Sequence, residues 1–144
     1  MKWNAEKMRD QTGKVVIVTG SNTGIGFHMA EAFASKGATV ILACRNMEKA
    51  EKAKNRILSK NPSAYLIPVQ LDLANLSNVK QFSEKIQATQ KRIDILINNA
   101  GVMIPPKSKT ADGFELQIGT NHLGHFALTA HLLPLIENSE KPRI

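Results

Sequence analysis

The 144-residue sequence predicts an α/β fold, a doubly wound parallel β-sheet with helices on both faces. Two observations predict it. Short apolar runs rich in β-branched residues are near-continuous rather than alternating, which marks strands covered on both sides. Between the runs lie stretches with apolar residues at helical spacing, so strand and helix alternate and parallel, right-handed crossovers follow.

The first strand is KVVIVTG, residues 14–20. A helix is predicted from about Gly24 to Lys36, with Ile25, Met29 and Phe33 on one face and Gly37 as its C-terminal stop. ATVILAC (38–44) is the second strand, after which Asn46 is placed to cap a helix that turns Ala50, Ala53 and Ile57 inward. AYLIPVQLD (64–72) is the third strand; the helix after Asn75 carries Val79, Phe82 and Ile86 on one stripe. IDILINN (93–99) is the fourth strand, and a fourth helix is predicted from about Asp112 through Leu133, with Pro134 near its end. Pro68 removes a ladder donor inside the third strand, and proline in sheets is mostly confined to edges. That placement agrees with a Rossmann-type strand order of 3-2-1-4, in which the third strand is the edge.

Composition narrows the function classes. At 42% hydrophobic and 22% charged, the chain has the make-up of one soluble globular domain, with no repeat or low-complexity tract. A single cysteine, Cys44, allows no internal disulfide and suits a reducing compartment. The opening MKWNAEKMRDQTG is charged without an apolar centre, so residues 1–12 read as a polar arm rather than a signal or anchor. No apolar run approaches the roughly 20 residues of a membrane span, and the expected location is cytoplasmic. The net charge of +7 owes much to lysines in KAEKAKNRILSK (49–60), a solvated helix face without interleaved aromatics, so no nucleic-acid partner is expected.

The chemistry begins at TGSNTGIG (19–26), where the first strand runs into the first helix. A helix N-terminus offers free N–H groups and a positive dipole end, which attract a pyrophosphate. Gly20 is suited to the turn off the strand, Gly24 to close approach of phosphate, and Gly26 to helix–sheet packing. The bland reading is a generic glycine-rich turn; the flanking strand and helix favour the phosphate site.

TGSNTGIG together with NNAG at 98–101, LDL at 71–73 and NHLGHF at 121–126 resembles the short-chain dehydrogenase/reductase family. The combination with ILACRN looks most like its retinol-dehydrogenase-like branch. The resemblance runs from about Gly13 to the last residue, so 13–144 reads as a nucleotide-binding Rossmann domain incomplete at its C-terminal end, its fifth strand only begun. It implies that Gly20, Ser21, Asn22, Thr23, Gly24, Ile25 and Gly26 form the phosphate loop. It further implies that Asp72 and Leu73 border the adenine, and that Asn99, Ala100 and Gly101 meet the nicotinamide-side ribose. The second strand ends in Cys44-Arg45, without the acid that would accept a ribose 2′-OH; Arg45 can pair with a 2′-phosphate. NADP(H) is therefore expected over NAD(H).

Family catalysis uses a tyrosine, a lysine four residues later, a serine, and an asparagine that holds a water. These supply a proton and stabilise the developing alkoxide. Asn121 matches the asparagine, and it alone is carried over as catalytic. The only tyrosine, Tyr65, is followed four residues later by Val69, and Ser139 lies ahead of the serine's expected place. The reading is an oxidoreductase acting on a small-molecule carbonyl or alcohol, present as its cofactor-binding part and inactive alone. A homo-oligomer is compatible with the complete enzyme. The alternatives are a non-catalytic nucleotide-binding or heterodimerising module, or a gene fragment. His122, His125 and His131 lack further ligands nearby and read as packing or surface residues, with no metal site. The fourth strand's edge, Ile95 to Ile97, is expected to lie open, with part of the last helix's apolar surface.

Overall fold

A computed structural model describes residues 4–144; the first three residues of the polar arm lie outside the described residues. Four parallel strands, β1 (Val15–Thr19), β2 (Thr39–Cys44), β3 (Tyr65–Gln70) and β4 (Ile95–Ile97), form one sheet in the order β3-β2-β1-β4. The helices are α1 (Gly24–Ser35), α2 (Met47–Lys60), α3 (Leu76–Thr89), a short α4 (Leu116–Ile118), a π-helical turn at Gly119–Leu123, and α5 (Gly124–Glu137).

Side-chain alternation along β1 and β2 divides the core in two. Ile17 and Ile41 face α3 and α5, joining Val79, Phe82, Ile86, Leu128 and Leu132. Val16, Val18, Val40 and Leu42 face α1 and α2, joining Phe27, Ala30, Ala53 and Ile57. The near-continuous apolar runs thus belong to strands buried on both faces, as expected. β3 is the outer strand and carries Pro68 opposite Leu42, so the missing N–H weakens only an edge. Asn46 and Asn75 cap α2 and α3, each accepting a hydrogen bond from the backbone N–H three residues on.

Four sequence expectations are corrected. The stripe of α1 that meets the sheet is Phe27, Ala30 and Ala34; Met29 and Phe33 are half-buried, and Ile25 is 76% exposed. Alanines let α1 lie close to the strands, and that close face outcompetes the bulkier one. The last helical region starts at Leu116 rather than Asp112. The Asp112 carboxylate accepts from the backbone N–H of Leu76 at the start of α3, Gly113 turns the chain with φ 88°, and Glu115 caps α4. The fourth strand's ladder stops at Ile97, because Asn99 turns back to donate its N–H to the Ile97 carbonyl (3.0 Å). Its far edge is partly covered: Arg143 bridges Ile95 in parallel, and Leu96 N–H donates to the Arg143 carbonyl (3.0 Å).

The arm from Asn4 onward is mostly exposed and is tied to the end of α1 through Lys36, whose Nζ donates to the Glu6 carbonyl (2.8 Å). Gln11 is buried, and its N–H donates to the Lys36 carbonyl (2.8 Å). Beneath the sheet the Asp94 carboxylate accepts from Val15 N–H (2.8 Å), the Ser139 hydroxyl (2.7 Å) and Arg92 Nε (3.2 Å). Burial alone would raise its pKa, but these donors together hold it below the ordinary carboxylate value.

Candidate functional site

A cleft of about 390 Å³ opens at the carboxyl ends of the strands. It is lined after β1 by Gly20, Asn22, Thr23, Ile25 and Gly26, and at the end of β2 by Ala43 and Arg45. Leu71–Leu73 line it beyond β3, Asn99–Val102 beyond β4, and Thr120 closes it from the π-helical turn. Open α/β sheets bind ligands at this edge, where crossovers to opposite faces leave a gap.

The chain closes tightly under the cleft. Gly20 turns off β1 with φ 65°, and a Cβ there would stand 3.0 Å from Cα of Ala100. At Gly26 a Cβ would fall 2.4 Å from Nδ2 of Asn99 and 2.6 Å from the Gly20 carbonyl oxygen. The Asn99 amide is held there because its Nδ2 donates to the Thr19 carbonyl (2.8 Å). Glycine at 26 therefore lets the loops after β1 and β4 touch. The first turn of α1 differs from those of α2 and α3: Thr23 makes no side-chain cap, so that helix start remains available to a ligand in the cleft.

Arg45 is exposed at the cleft's rim, with no hydrogen-bond or ion-pair partner among the described residues. Asp72 is half-buried; one carboxylate oxygen accepts from Ala74 N–H (3.0 Å), and its N–H donates to Asn78 Oδ1 (2.6 Å). Cys44 beside Arg45 is buried at 3.3 Å from the Ser21 hydroxyl, and burial pushes its thiol pKa up. It is a packed side chain rather than a nucleophile.

Of the residues expected at a nucleotide site, all but Ser21 and Gly24 line the cleft. Ser21 is buried beneath the loop against Cys44, and Gly24 is exposed at the start of α1 with open space around its Cβ position. Asn121 is exposed in the π-helical turn, outside the lining of the cleft. Its side chain clamps the backbone of Val102, accepting from the N–H and donating to the carbonyl at 2.8 Å each. Ala43, Leu71, Val102 and Thr120 also line the cleft; the last three each adjoin an expected residue, and Ala43 lies two before Arg45. The Thr120 hydroxyl is buried without a hydrogen-bond partner among the described residues, as expected of a group awaiting a ligand or water.

Thr19 and His125 escaped the sequence reading as site-forming residues. Both are buried, and their side chains meet at 2.9 Å beneath the cleft. Thr19 Oγ1 also accepts the N–H groups of Asn99 and Ala100, each at 2.9 Å, which fixes the loop after β4. His122 and His131 are exposed, and among the described residues no three His, Cys, Asp or Glu gather as a metal site. Met103 and Ile104, 85% and 86% exposed, follow this loop; Ile104 has φ 49°, and its N–H donates to Gln117 Oε1 (2.9 Å). No helix among the described residues is long and apolar enough to cross a membrane.

Comparison with known proteins gives this geometry a context. A family model described as short chain dehydrogenase matches residues 14–144. The chain is 48% identical to retinol dehydrogenase 11 of Homo sapiens over 132 residues, 92% of this chain and 42% of that protein. It thus spans about two-fifths of the length of the curated relatives it matches. Among solved structures, an uncharacterized protein from Mycobacterium Paratuberculosis superposes with a TM-score of 0.82 at 42% identity, covering 94% of this chain and 47% of that one. A short chain dehydrogenase from Shigella flexneri 2a str. 301 complexed with NADP superposes with a TM-score of 0.76 at 30% identity, covering 90% and 56% respectively.

Proposed function

The chain belongs to the short-chain dehydrogenase family, and on that premise we propose an oxidoreductase that moves a hydride between NADP(H) and an apolar carbonyl or alcohol. The observation that carries the reading is Arg45, a cation without a partner among the described residues, at the rim of the cleft where β2 ends without an acid. An acid there would favour a free ribose 2′-OH, whereas an arginine favours a 2′-phosphate.

The residues of the cleft fit such a cofactor. The uncapped start of α1 and the loop Gly20–Gly26 would hold the pyrophosphate, and Asp72 with Leu73 the adenine. Asn99, Ala100 and Gly101 would hold the second ribose. The bound nicotinamide would supply or accept the hydride. This chain's own contribution is to bind and orient, with Asn121 holding the loop that carries Gly101 and Val102. A proton donor of the family's Tyr-x-x-x-Lys type is not among the 144 residues: Tyr65 is exposed on the edge strand, with Val69 four residues on. We therefore expect these residues by themselves to bind NADP(H) without turning it over. Exposed Met103 and Ile104 beside the loop after β4, together with the retinol dehydrogenase relatives, support an apolar substrate.

The test is a titration of the chain with NADPH before and after Arg45→Asp. Loss of a charge-assisted phosphate contact should weaken binding at least about tenfold. Equal affinity in the two proteins would refute the assignment of the 2′-phosphate to Arg45.

A further inference from the structure

The hydrogen bonds around His125 favour one arrangement of protons. Thr19 Oγ1 accepts two backbone N–H groups, that of Ala100 and that of Asn99, the latter shared with the Ile97 carbonyl. Its single proton must then be donated, and the nearer acceptor is Nε2 of His125 at 2.9 Å, against 3.3 Å for the Ile97 carbonyl. On the other side of the ring, Nδ1 lies 2.9 Å from the Asn121 carbonyl oxygen, which can only accept. A neutral ring therefore carries its proton on Nδ1. The opposite tautomer would face a lone pair to the Asn121 carbonyl and leave the Thr19 hydroxyl only the longer bond to the Ile97 carbonyl. The result is a directed chain from the Thr19 hydroxyl, through the ring, to the Asn121 backbone. Burial of the ring, 6% exposed, also disfavours its charged form.

Each end of this chain is tied to the cleft. Thr19 fixes the amides of Asn99 and Ala100, on the wall expected to meet the cofactor. Asn121 clamps Val102, two residues beyond Ala100 on the same loop, and sits in the π-helical turn that also carries Thr120. The loop after β4 is thus gripped at two points, from the sheet by Thr19 and from the helix by Asn121. His125 is the only side chain hydrogen-bonded to both grips among the described residues.

We propose that His125 is a positioning residue, holding the end of β1 and the Asn121 turn in one geometry so that both walls of the loop after β4 are preset for the cofactor. The functional half of this statement rests on the NADP(H) reading of the cleft; the structural half does not.

Two substitutions separate the two bonds. In His125→Asn the side-chain amide nitrogen falls where Nδ1 was, so it keeps the donor to Asn121 but cannot reach Thr19. In His125→Gln the longer side chain reaches the place of Nε2 and keeps an acceptor for Thr19, while the donor to Asn121 is lost. Nitrogen-15 NMR of the histidine rings and amide hydrogen exchange are measured on the full chain, together with NADPH titration. The wild-type ring should show the Nδ1–H tautomer. Exchange at Asn99 and Ala100 should rise about five- to tenfold in His125→Asn, the size of one lost hydrogen bond, with Val102 little changed. In His125→Gln the pattern should reverse. NADPH affinity should fall in both variants.

An Nε2–H tautomer in the wild type, or equal loosening of both grips in the two variants, would overturn the positioning role in favour of simple packing. The wild-type tautomer decides this point even if neither variant folds. If the wild type binds no NADPH, the cofactor reading fails while the tautomer and exchange patterns still judge His125. If NADPH binds the wild type and both variants equally, the positioning proposal fails and the cofactor reading stands.

Discussion

Replacing Gly26 with alanine sets two physical effects against each other. Gly26 lies within α1 and has no positive φ, so helix propensity alone predicts that alanine stabilises the chain by about 1 kcal/mol. The contacts predict the opposite. The new Cβ would stand 2.4 Å from Asn99 Nδ2 and 2.6 Å from the Gly20 carbonyl oxygen. Neither neighbour yields cheaply: one is backbone, and the other is anchored by a 2.8 Å bond to the Thr19 carbonyl. Overpacking of this kind costs about 1–3 kcal/mol, and ejecting the Asn99 amide adds about 1–2 kcal/mol for the broken bond. After subtracting the propensity gain, a net loss of about 1–4 kcal/mol remains. For a chain of this size that lowers Tm by roughly 4 °C per kcal/mol, or about 4–16 °C. Thermal unfolding followed by circular dichroism reads it directly. Asn99→Ala in the same background should recover part of the loss, because it removes one of the two clashing groups. A Gly26→Ala protein that melts at or above the wild-type temperature would refute the close-contact account of this glycine.

Further expectations follow from the buried polar groups. Asp94 is held below its ordinary pKa by Val15, Ser139 and Arg92 against the opposing effect of burial, so its carboxylate form stabilises the fold. That contribution is fully present above the unfolded value near 3.9 and is lost as pH falls through the lower folded value. Asp94→Ala should cost about 2–4 kcal/mol in urea unfolding at neutral pH and flatten the acid limb of the stability curve. Cys44, 1% exposed and with its thiol pKa raised by burial, should react with a thiol reagent only as fast as the chain unfolds. Rapid modification of the folded protein would contradict the packing of the β2 end.

What the sequence made legible divides by the range of the interaction. Asn46 and Asn75 could be read as caps because each bonds a backbone N–H three residues away. Pro68 could be read as an edge residue because its missing donor is a property of that residue alone. Asp112 looks like a helix start in the sequence, but its carboxylate caps a helix 36 positions earlier in the chain. Helical periodicity found α1 but not its buried face, since both a bulky stripe and an alanine stripe fit the spacing and only the sheet chooses between them. The cleft residues were legible through motif resemblance, for their neighbours in sequence carry the pattern. His125 reads as a packing or surface residue in the sequence because its partner Thr19 lies 106 positions away, and nothing local to NHLGHF indicates that meeting.

The central claim, that NADP(H) occupies the cleft at the sheet's carboxyl edge, is tested most directly by backbone amide NMR of the chain during titration with NADP⁺ and, separately, NAD⁺. The account predicts saturable shifts confined to the loop 20–26, Arg45, Asp72 and Leu73, and the loop 99–102, with tighter saturation by the 2′-phosphorylated cofactor. Absence of saturable shifts, shifts centred elsewhere on the surface, or tighter saturation by NAD⁺ would contradict it.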